Sequence, residues 1–276
     1  MKQKRGRDAH VHNGSNSTGG IWIPENAVLR DVKPQDEELD PKPKGRFNLD
    51  GSTSRNHTYL FICTYNVRTL RREEVLDTLL EEVESIKWHI IGLAETGRPS
   101  DLIKLTNCGH TLFTTSATSR GCNGVGFLVN KIIEGNTLDY KEVSYRIVYL
   151  RLQISKQHTL KVIQVYAPTS SHGDYKIEGL YKNVDDMMAT VNSTHTILIG
   201  DLNAKIGKKK DSDEKGIGPF RVGDRNKRGQ RLLEFVSSRD LIIGNTYFKK
   251  PVKRYWTLES PNAATHNLID YIICDH

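Results

Sequence analysis

The stretch His195-Thr-Ile-Leu-Ile-Gly-Asp-Leu-Asn-Ala204 decides how this chain is read. Its apolar run, Thr196–Ile199, has the length and β-branched content of a buried strand. The run ends in Gly200-Asp-Leu-Asn203, so a carboxylate and a carboxamide stand two residues apart where a strand leaves the core. Alternation along an extended chain points both side chains the same way. Asp and Asn after a strand commonly make only a turn. The pair gains chemical meaning through what the other strand ends carry.

Working outward, the texture changes at Tyr59. Residues 1–58 are rich in Gly, Ser, Asn, Pro and charge and read as a disordered polar leader, with Ile21-Trp-Ile-Pro24 as an apolar island. From there Tyr59–Tyr65 reads as a strand, Leu70–Lys87 as an amphipathic helix and His89–Ala94 as a second strand, a β-α-β unit. Further strands are expected at Leu112–Thr115, Val125–Val129, Val143–Ile154, Thr159–Val165, Leu241–Ile243, Arg254–Thr257 and Leu268–Ile273. Helices are expected at Tyr175–Val191 and Gly229–Arg239. Many strands with few, separated helices point to an α+β fold, two sheets face to face with helices outside.

Composition narrows the function. The 276 residues carry a net charge of +7, of which residues 1–58 supply +2 and the remainder +5. A basic folded part suits a polyanionic partner. No apolar run approaches the roughly 18 residues of a membrane span, and no secretory signal is evident at the N-terminus. The four cysteines lack metal-finger spacing, and Cys63 and Cys274 read as core residues. The expected setting is therefore intracellular, nuclear or cytoplasmic. The loop Lys208–Gly218 reads as a solvated turn.

Other strand ends match the Asp201/Asn203 pair. Asn66 follows the first strand, Glu95 the second and Tyr166 a third, while Asp270 lies in the last apolar run. Singly, each has an ordinary structural role: a helix cap, a surface acid, a core ring, a buried ion pair. Polar groups collected at one edge of packed sheets are how sites of this architecture are built.

The ordered set Asn66, Ala94-Glu-Thr96, Tyr166-Ala-Pro168, Gly200-Asp-Leu-Asn203, Tyr255-Trp-Thr257 and Ile269-Asp-Tyr271 resembles the serial motifs of the endonuclease/exonuclease/phosphatase superfamily, which includes DNase I. Longer text is similar to the endonuclease domains of RTE-type non-LTR retrotransposons: Tyr65-Asn-Val-Arg-Thr-Leu-Arg71, Gly200-Asp-Leu-Asn-Ala-Lys-Ile-Gly207, Gly223-Asp-Arg-Asn-Lys-Arg-Gly229 and Asn245-Thr-Tyr-Phe248. The resemblance runs from Tyr59 to the end. It implies a four-layered α/β/β/α sandwich that cuts DNA phosphodiesters with Mg²⁺, or with Mn²⁺ in its place, and without a small-molecule cofactor.

By that resemblance Glu95 is the main metal ligand with Asn66 beside it. Asp201 orients or deprotonates the attacking water, and Asn203 and Tyr166 donate to the phosphate. Asp270 holds a histidine, and Thr169, Trp256 and Arg68 contact substrate. Arg68 stands where some abasic-site enzymes carry an acid, which favours DNA nicking over abasic-site recognition. The family's closing Ser-Asp-His motif has no counterpart in the text. Asp275-His276 follows Asp270 too closely, since six extended residues span ~20 Å. An incomplete C-terminus is therefore expected, with an open sheet edge beside Asp270 and weakened or lost activity. The competing readings are a non-catalytic module that binds nucleic acid or protein, and a lipid phosphodiesterase.

Overall fold

The computed structural model describes residues 59–117, 123–208, 214–251, 254–259 and 266–275. The leader 1–58, His276 and residues 209–213 of the Lys208–Gly218 loop lie outside them. One sheet holds β1 (Ile62–Asn66), β2 (Ile90–Ala94), β3 (Leu102–Leu105), β4 (Thr111–Thr114) and β5 (Val125–Val129), in the order β1-β2-β5-β4-β3. The second holds β6 (Thr137–Ser144), β7 (Ile147–Gln153), β8 (Thr159–Tyr166), β9 (His195–Asp201), β10 (Ile242–Ile243) and β13 (Asp270–Cys274), in the order β10-β13-β9-β8-β7-β6. A two-residue ribbon, β11 (Leu258–Glu259) with β12 (His266–Asn267), stands apart. The helices are α1 (Glu73–Val83), α2 (Asp174–Thr190) and α3 (Lys227–Ser238).

Three apolar layers make this a four-layered α/β/β/α sandwich. Leu76, Leu79, Leu80 and Val83 of α1 pack on Ile91 and Leu93 of the first sheet. Ile62, Ile90 and Phe127 meet Val162, Ile197 and Ile199 between the sheets. Ile177 and Leu180 of α2 and Leu232 and Val236 of α3 cover Ile163, Leu198 and Ile273 on the far face. The helix stripes and strand alternation place each residue in its layer. The α+β architecture read from the sequence is the one observed.

Some elements differ from the expected ones. Val143–Ile154 is not one strand but the end of β6, a turn at Ser144-Tyr-Arg146, and β7. That turn lacks the Gly, Pro, Asn and Asp that mark most reversals, so the apolar text runs through it. Arg254–Thr257 lies outside any strand, just before β11, and β3 is a four-residue strand too short for a periodic signal. The open edge expected beside Asp270 is partly covered. Ile273 and Cys274 pair with β10. Beyond it, Asn245 accepts from the Ile272 amide at 2.6 Å and donates to the Asp270 carbonyl at 3.3 Å, standing in for a strand.

Two features hold the layers close. Gly200 has φ +137°, and a Cβ there would lie 1.9 Å from the Val165 carbonyl oxygen, so only glycine lets β9 turn out of the core against β8. Lys161, 1% exposed, extends under α2 and donates to the Val191 carbonyl at 2.6 Å, satisfying the helix's C-terminal carbonyls with a positive charge.

His89 enters β2 at the opposite end of the sandwich from Asn66, Asp201 and Asp270. It is 5% exposed, and its Nδ1 accepts from the Phe61 amide at 2.9 Å. Burial lowers its pKa to about 4. Below the ordinary value of 6.5 the unfolded chain takes up this proton while the folded one does not, so stability falls as pH drops from 6.5 towards 4. We expect urea unfolding to show His89→Asn less stable at neutral pH. The variant should also lack up to about 3 kcal/mol of the parent's acid-side loss, at roughly 1.4 kcal/mol per pKa unit. Equal acid-side losses in both proteins would count against this role.

Candidate active site

Strand parity builds the site. Along β1, Ile62, Thr64 and Asn66 face the space between the sheets; along β8, Val162, Gln164 and Tyr166; along β9, Ile197, Ile199 and Asp201; along β13, Cys274, Ile272 and Asp270. Apart from Thr64 and Gln164, the inner residues of each strand are apolar and line the inter-sheet core, and the last polar one caps it at the same end. Ladder pairing aligns them, since Asp201 stands opposite both Tyr166 and Asp270. Glu95, one residue past β2, joins them through a left-handed backbone at φ 59°. Asn203, at φ 47°, and Arg68, at φ 57°, share that conformation. Non-glycine residues rarely adopt it, and it clusters where function over-determines the backbone.

Hydrogen bonds join the cluster. Asn66 Nδ2 donates to Glu95 Oε1 at 2.8 Å, and the Asn66 side chain also interacts with the Asp201 carboxylate. The Arg68 backbone amide donates to Asn66 Oδ1 at 3.0 Å and holds the carboxamide in place. The Tyr166 hydroxyl lies beside the Glu95 carboxylate and interacts with it. The Asn203 amide donates to Asp201 Oδ1 at 2.9 Å, while its side chain donates to the Ala167 carbonyl at 2.8 Å.

Three carboxyl groups share this end of the core, and their electrostatics follow. Asp201, 4% exposed, is held well above the usual carboxylate range by burial first and then by the charges of Asp270 and Glu95. Asp270 is pushed up to about 6 by desolvation, against a lowering hydrogen bond from Thr257, with Glu95 adding to the rise. The Tyr166 phenol is raised by burial and by Glu95, so it stays protonated and remains a donor at neutral pH.

The structure thus gathers Asn66, Glu95, Tyr166, Asp201, Asn203 and Asp270 together. Thr169, Trp256 and Arg68 follow or precede cluster residues and their partners along the chain. Thr169 Oγ1 bonds His172 Nδ1 at 2.9 Å, just beyond Ala167. Trp256 is partly buried with its ring 6.2 Å from that of His266. Arg68 turns an exposed side chain outward. Thr257 Oγ1 accepts from the Asp270 backbone amide at 3.2 Å and lies beside the Asp270 carboxylate, where the family resemblance puts a histidine. His266 lies 3.7 Å from Glu259.

Sequence reasoning missed four contributors. Thr257 and Asn245 both sat in quoted motifs without a role. His172 was not considered beside Thr169. Arg146 was hidden inside the supposed long strand. It donates to the Tyr166 carbonyl at 3.0 Å and carries its guanidinium 5.0 Å from the centre of the Tyr166 ring.

Among the described residues, no group of three or more His, Cys, Asp and Glu side chains is arranged to hold a metal ion. The donors at hand are the Glu95 carboxylate and the Asn66 carbonyl oxygen, which has a lone pair beyond the one Arg68 uses. Mg²⁺ keeps several waters and takes one or two carboxylates, so this sparse set fits it better than it fits an ion needing a full protein cage. The crowding of three acids, Glu95, Asp201 and Asp270, with no Lys or Arg side chain bonded to them among the described ion pairs, points the same way.

This sandwich, with its polar cluster at one end of the inter-sheet core, is the DNase I-like fold of the endonuclease/exonuclease/phosphatase superfamily. The endonuclease domain of TRAS1, a telomere-specific non-LTR retrotransposon, superposes with a TM-score of 0.52 at 15% identity, over 78% of this chain and 84% of that one. A 3′ phosphatase from Neisseria, solved with a product DNA hairpin, gives a TM-score of 0.54 at 15% identity, over 78% and 86%. By sequence the chain is similar to craniofacial development protein 2. It is 33% identical to the Bos taurus protein over 77% of this chain, and 32% identical to the Tragulus javanicus protein over 87%. It spans 35% and 42% of those relatives' lengths. No family model matches. Among the described residues no helix is long and apolar enough to cross a membrane.

Clustered like charges cost stability that a binding site retains for use. A carboxyl whose folded pKa is raised binds its proton more tightly when folded. Stability is therefore lost as pH climbs above the unfolded value and through the folded one. Asp201→Asn keeps an acceptor for the Asn203 amide and removes the charge. In chelator-treated protein at pH 8 we expect it to unfold about 1–2 kcal/mol later than the parent, with the gap closing near pH 4. A variant that is less stable at pH 8 would contradict this account.

Proposed function

We propose that this chain is a Mg²⁺-dependent phosphodiesterase acting on DNA as an endonuclease of the retrotransposon type. The observation that carries the reading is the convergence of Asn66, Glu95, Tyr166, Asp201, Asn203 and Asp270 at one end of the inter-sheet core. The TRAS1 domain is an endonuclease and the Neisseria phosphatase carries DNA in its structure, and both share this fold. The net charge of +7 suits a polyanion.

Each residue has a task the chemistry requires. Phosphoryl transfer asks for positioning and for stabilisation of charge on the phosphate oxygens. Glu95 and the Asn66 oxygen would hold Mg²⁺, which supplies Lewis-acid stabilisation of that charge when bound. Asp201 lies buried with a raised proton affinity, the property of a base that takes a proton from water near neutral pH. Tyr166 stays a neutral donor, and Asn203 has a second N–H beyond the one spent on Ala167. Neutral donors stabilise an oxyanion without attracting a competing anion to the resting site. Asp270, bonded by Thr257, sets the charge beside Asp201. Thr169, Trp256 and Arg68 are the substrate contacts around this centre.

Supercoiled plasmid with Mg²⁺ tests the reading. The parent should produce nicked circles, while Asp201→Ala and Glu95→Ala should each lose at least about 100-fold in rate, the range seen on removing a positioned acid–base or charge-stabilising group. Retained DNA binding with no nicking by the parent would leave a nucleic-acid-binding module and end the enzymatic reading.

A further inference from the structure

Tyr166 is buried at the end of the inter-sheet core. Arg146, at the β6–β7 turn, meets it by backbone and by ring face. The Tyr166 backbone amide donates to the Arg146 carbonyl at 2.9 Å, and Arg146 Nη1 donates back to the Tyr166 carbonyl at 3.0 Å. The same guanidinium lies 5.0 Å from the Tyr166 ring centre and 5.2 Å from that of Tyr145. Its Nη2 meets Asn123 Oδ1, in the loop before β5 of the other sheet, at 3.5 Å. One planar cation therefore binds a tyrosine by backbone and by ring face, and ties that tyrosine's sheet to its neighbour.

We propose that Arg146 is a positioning residue that acts through Tyr166, holding the phenol aimed at Glu95. This deepens the phosphodiesterase reading and its kinetic arm rests on it. A guanidinium suits the task because it stacks flat on an aromatic face while its in-plane N–H groups reach a carbonyl, which an ammonium cannot do at once. Its charge also lies beside the phenol without touching the carboxylates, so it steadies the donor and leaves Glu95 to its own ligands. A role in folding alone would cost stability without depending on the Tyr166 hydroxyl.

Nicking kinetics over a range of DNA concentrations, with Arg146→Ala, Arg146→Lys, Tyr166→Phe and the Arg146→Ala/Tyr166→Phe pair, separate these roles. Arg146→Ala should lower the maximal rate about tenfold with the half-saturating DNA concentration little changed, as loss of orientation does. Arg146→Lys should recover little of it. In the Tyr166→Phe background the same change should cost no more than about twofold, because the two residues act as one unit. A full tenfold loss in that background, or an unchanged rate in Arg146→Ala, would overturn the proposal. A second readout is independent of turnover: with ring-¹³C tyrosine, the resonance missing in Tyr166→Phe identifies Tyr166. That resonance should shift or broaden in Arg146→Ala, while tyrosines other than Tyr145 stay in place. If the parent does not nick DNA, the phosphodiesterase reading fails and the resonance alone decides the clamp, an unmoved Tyr166 signal ending it.

Discussion

Hydrophobic contact between two sheets is strong but weakly directional, and the site depends on how the sheets are aligned. Asn66 and Glu95 come from one sheet, and Tyr166, Asp201 and Asp270 from the other. A polar bridge between the sheets lies one strand repeat below them. Thr64 donates to Gln164 Oε1 at 3.3 Å, across an interface that is otherwise apolar. Gly92 makes room for it, since a Cβ there would come within 2.0 Å of Gln164 Oε1. Thr64 is two residues before Asn66, and Gln164 two before Tyr166. The hydrogen bond thus fixes the two halves of the site in register, at the cost of burying a glutamine whose Nε2 has no hydrogen-bond partner.

On that register the electrostatics are built. Hydrogen bonds among Asn66, Glu95, Tyr166 and Asp201 hold carboxylates closer than they would lie in water. Burial raises the proton affinities of Asp201 and Asp270. The surrounding supports are neutral or peripheral: the Arg68 backbone amide, the Thr257 hydroxyl and the Asn245 side chain beneath Asp270. Among the described hydrogen bonds no lysine or arginine side chain bonds to Glu95, Asp201 or Asp270, so the negative field of these acids faces outward for a cation to meet.

Much of this was legible in the sequence for a physical reason. Period-two alternation ends in a polar residue at Asn66, Tyr166 and Asp201, and that pattern survives without knowledge of pairing. Two facing sheets with helices outside followed from helix stripes and apolar runs, and the four-layered sandwich from the family resemblance. What remained hidden depended on contacts between distant segments. Asn245 mimics a strand for Ile272 and Asp270, a role no local pattern announces. Thr257 was read as part of a strand, yet it bonds Asp270 from just outside the β11 ribbon. The turn carrying Arg146 lacks turn residues, so the cation that grips Tyr166 looked like one more strand position. The leader 1–58 lies outside the described residues.

The parity that crowns the core with polar groups also orders events in time. The first sheet is drawn from residues 62–129 and the second from 137–274, so each can gather its strands over moderate sequence distances. The contacts that complete the site, Asn66 with Asp201 and Thr64 with Gln164, join residues about a hundred or more positions apart. Long-range closures are paid late on the route to the native state. As the ribosome releases this chain, the Asn66 carboxamide and the Glu95 carboxylate of the first half would wait, exposed, until Asp201 emerges more than a hundred residues later. The polar cluster is then complete only once strands of both sheets have formed.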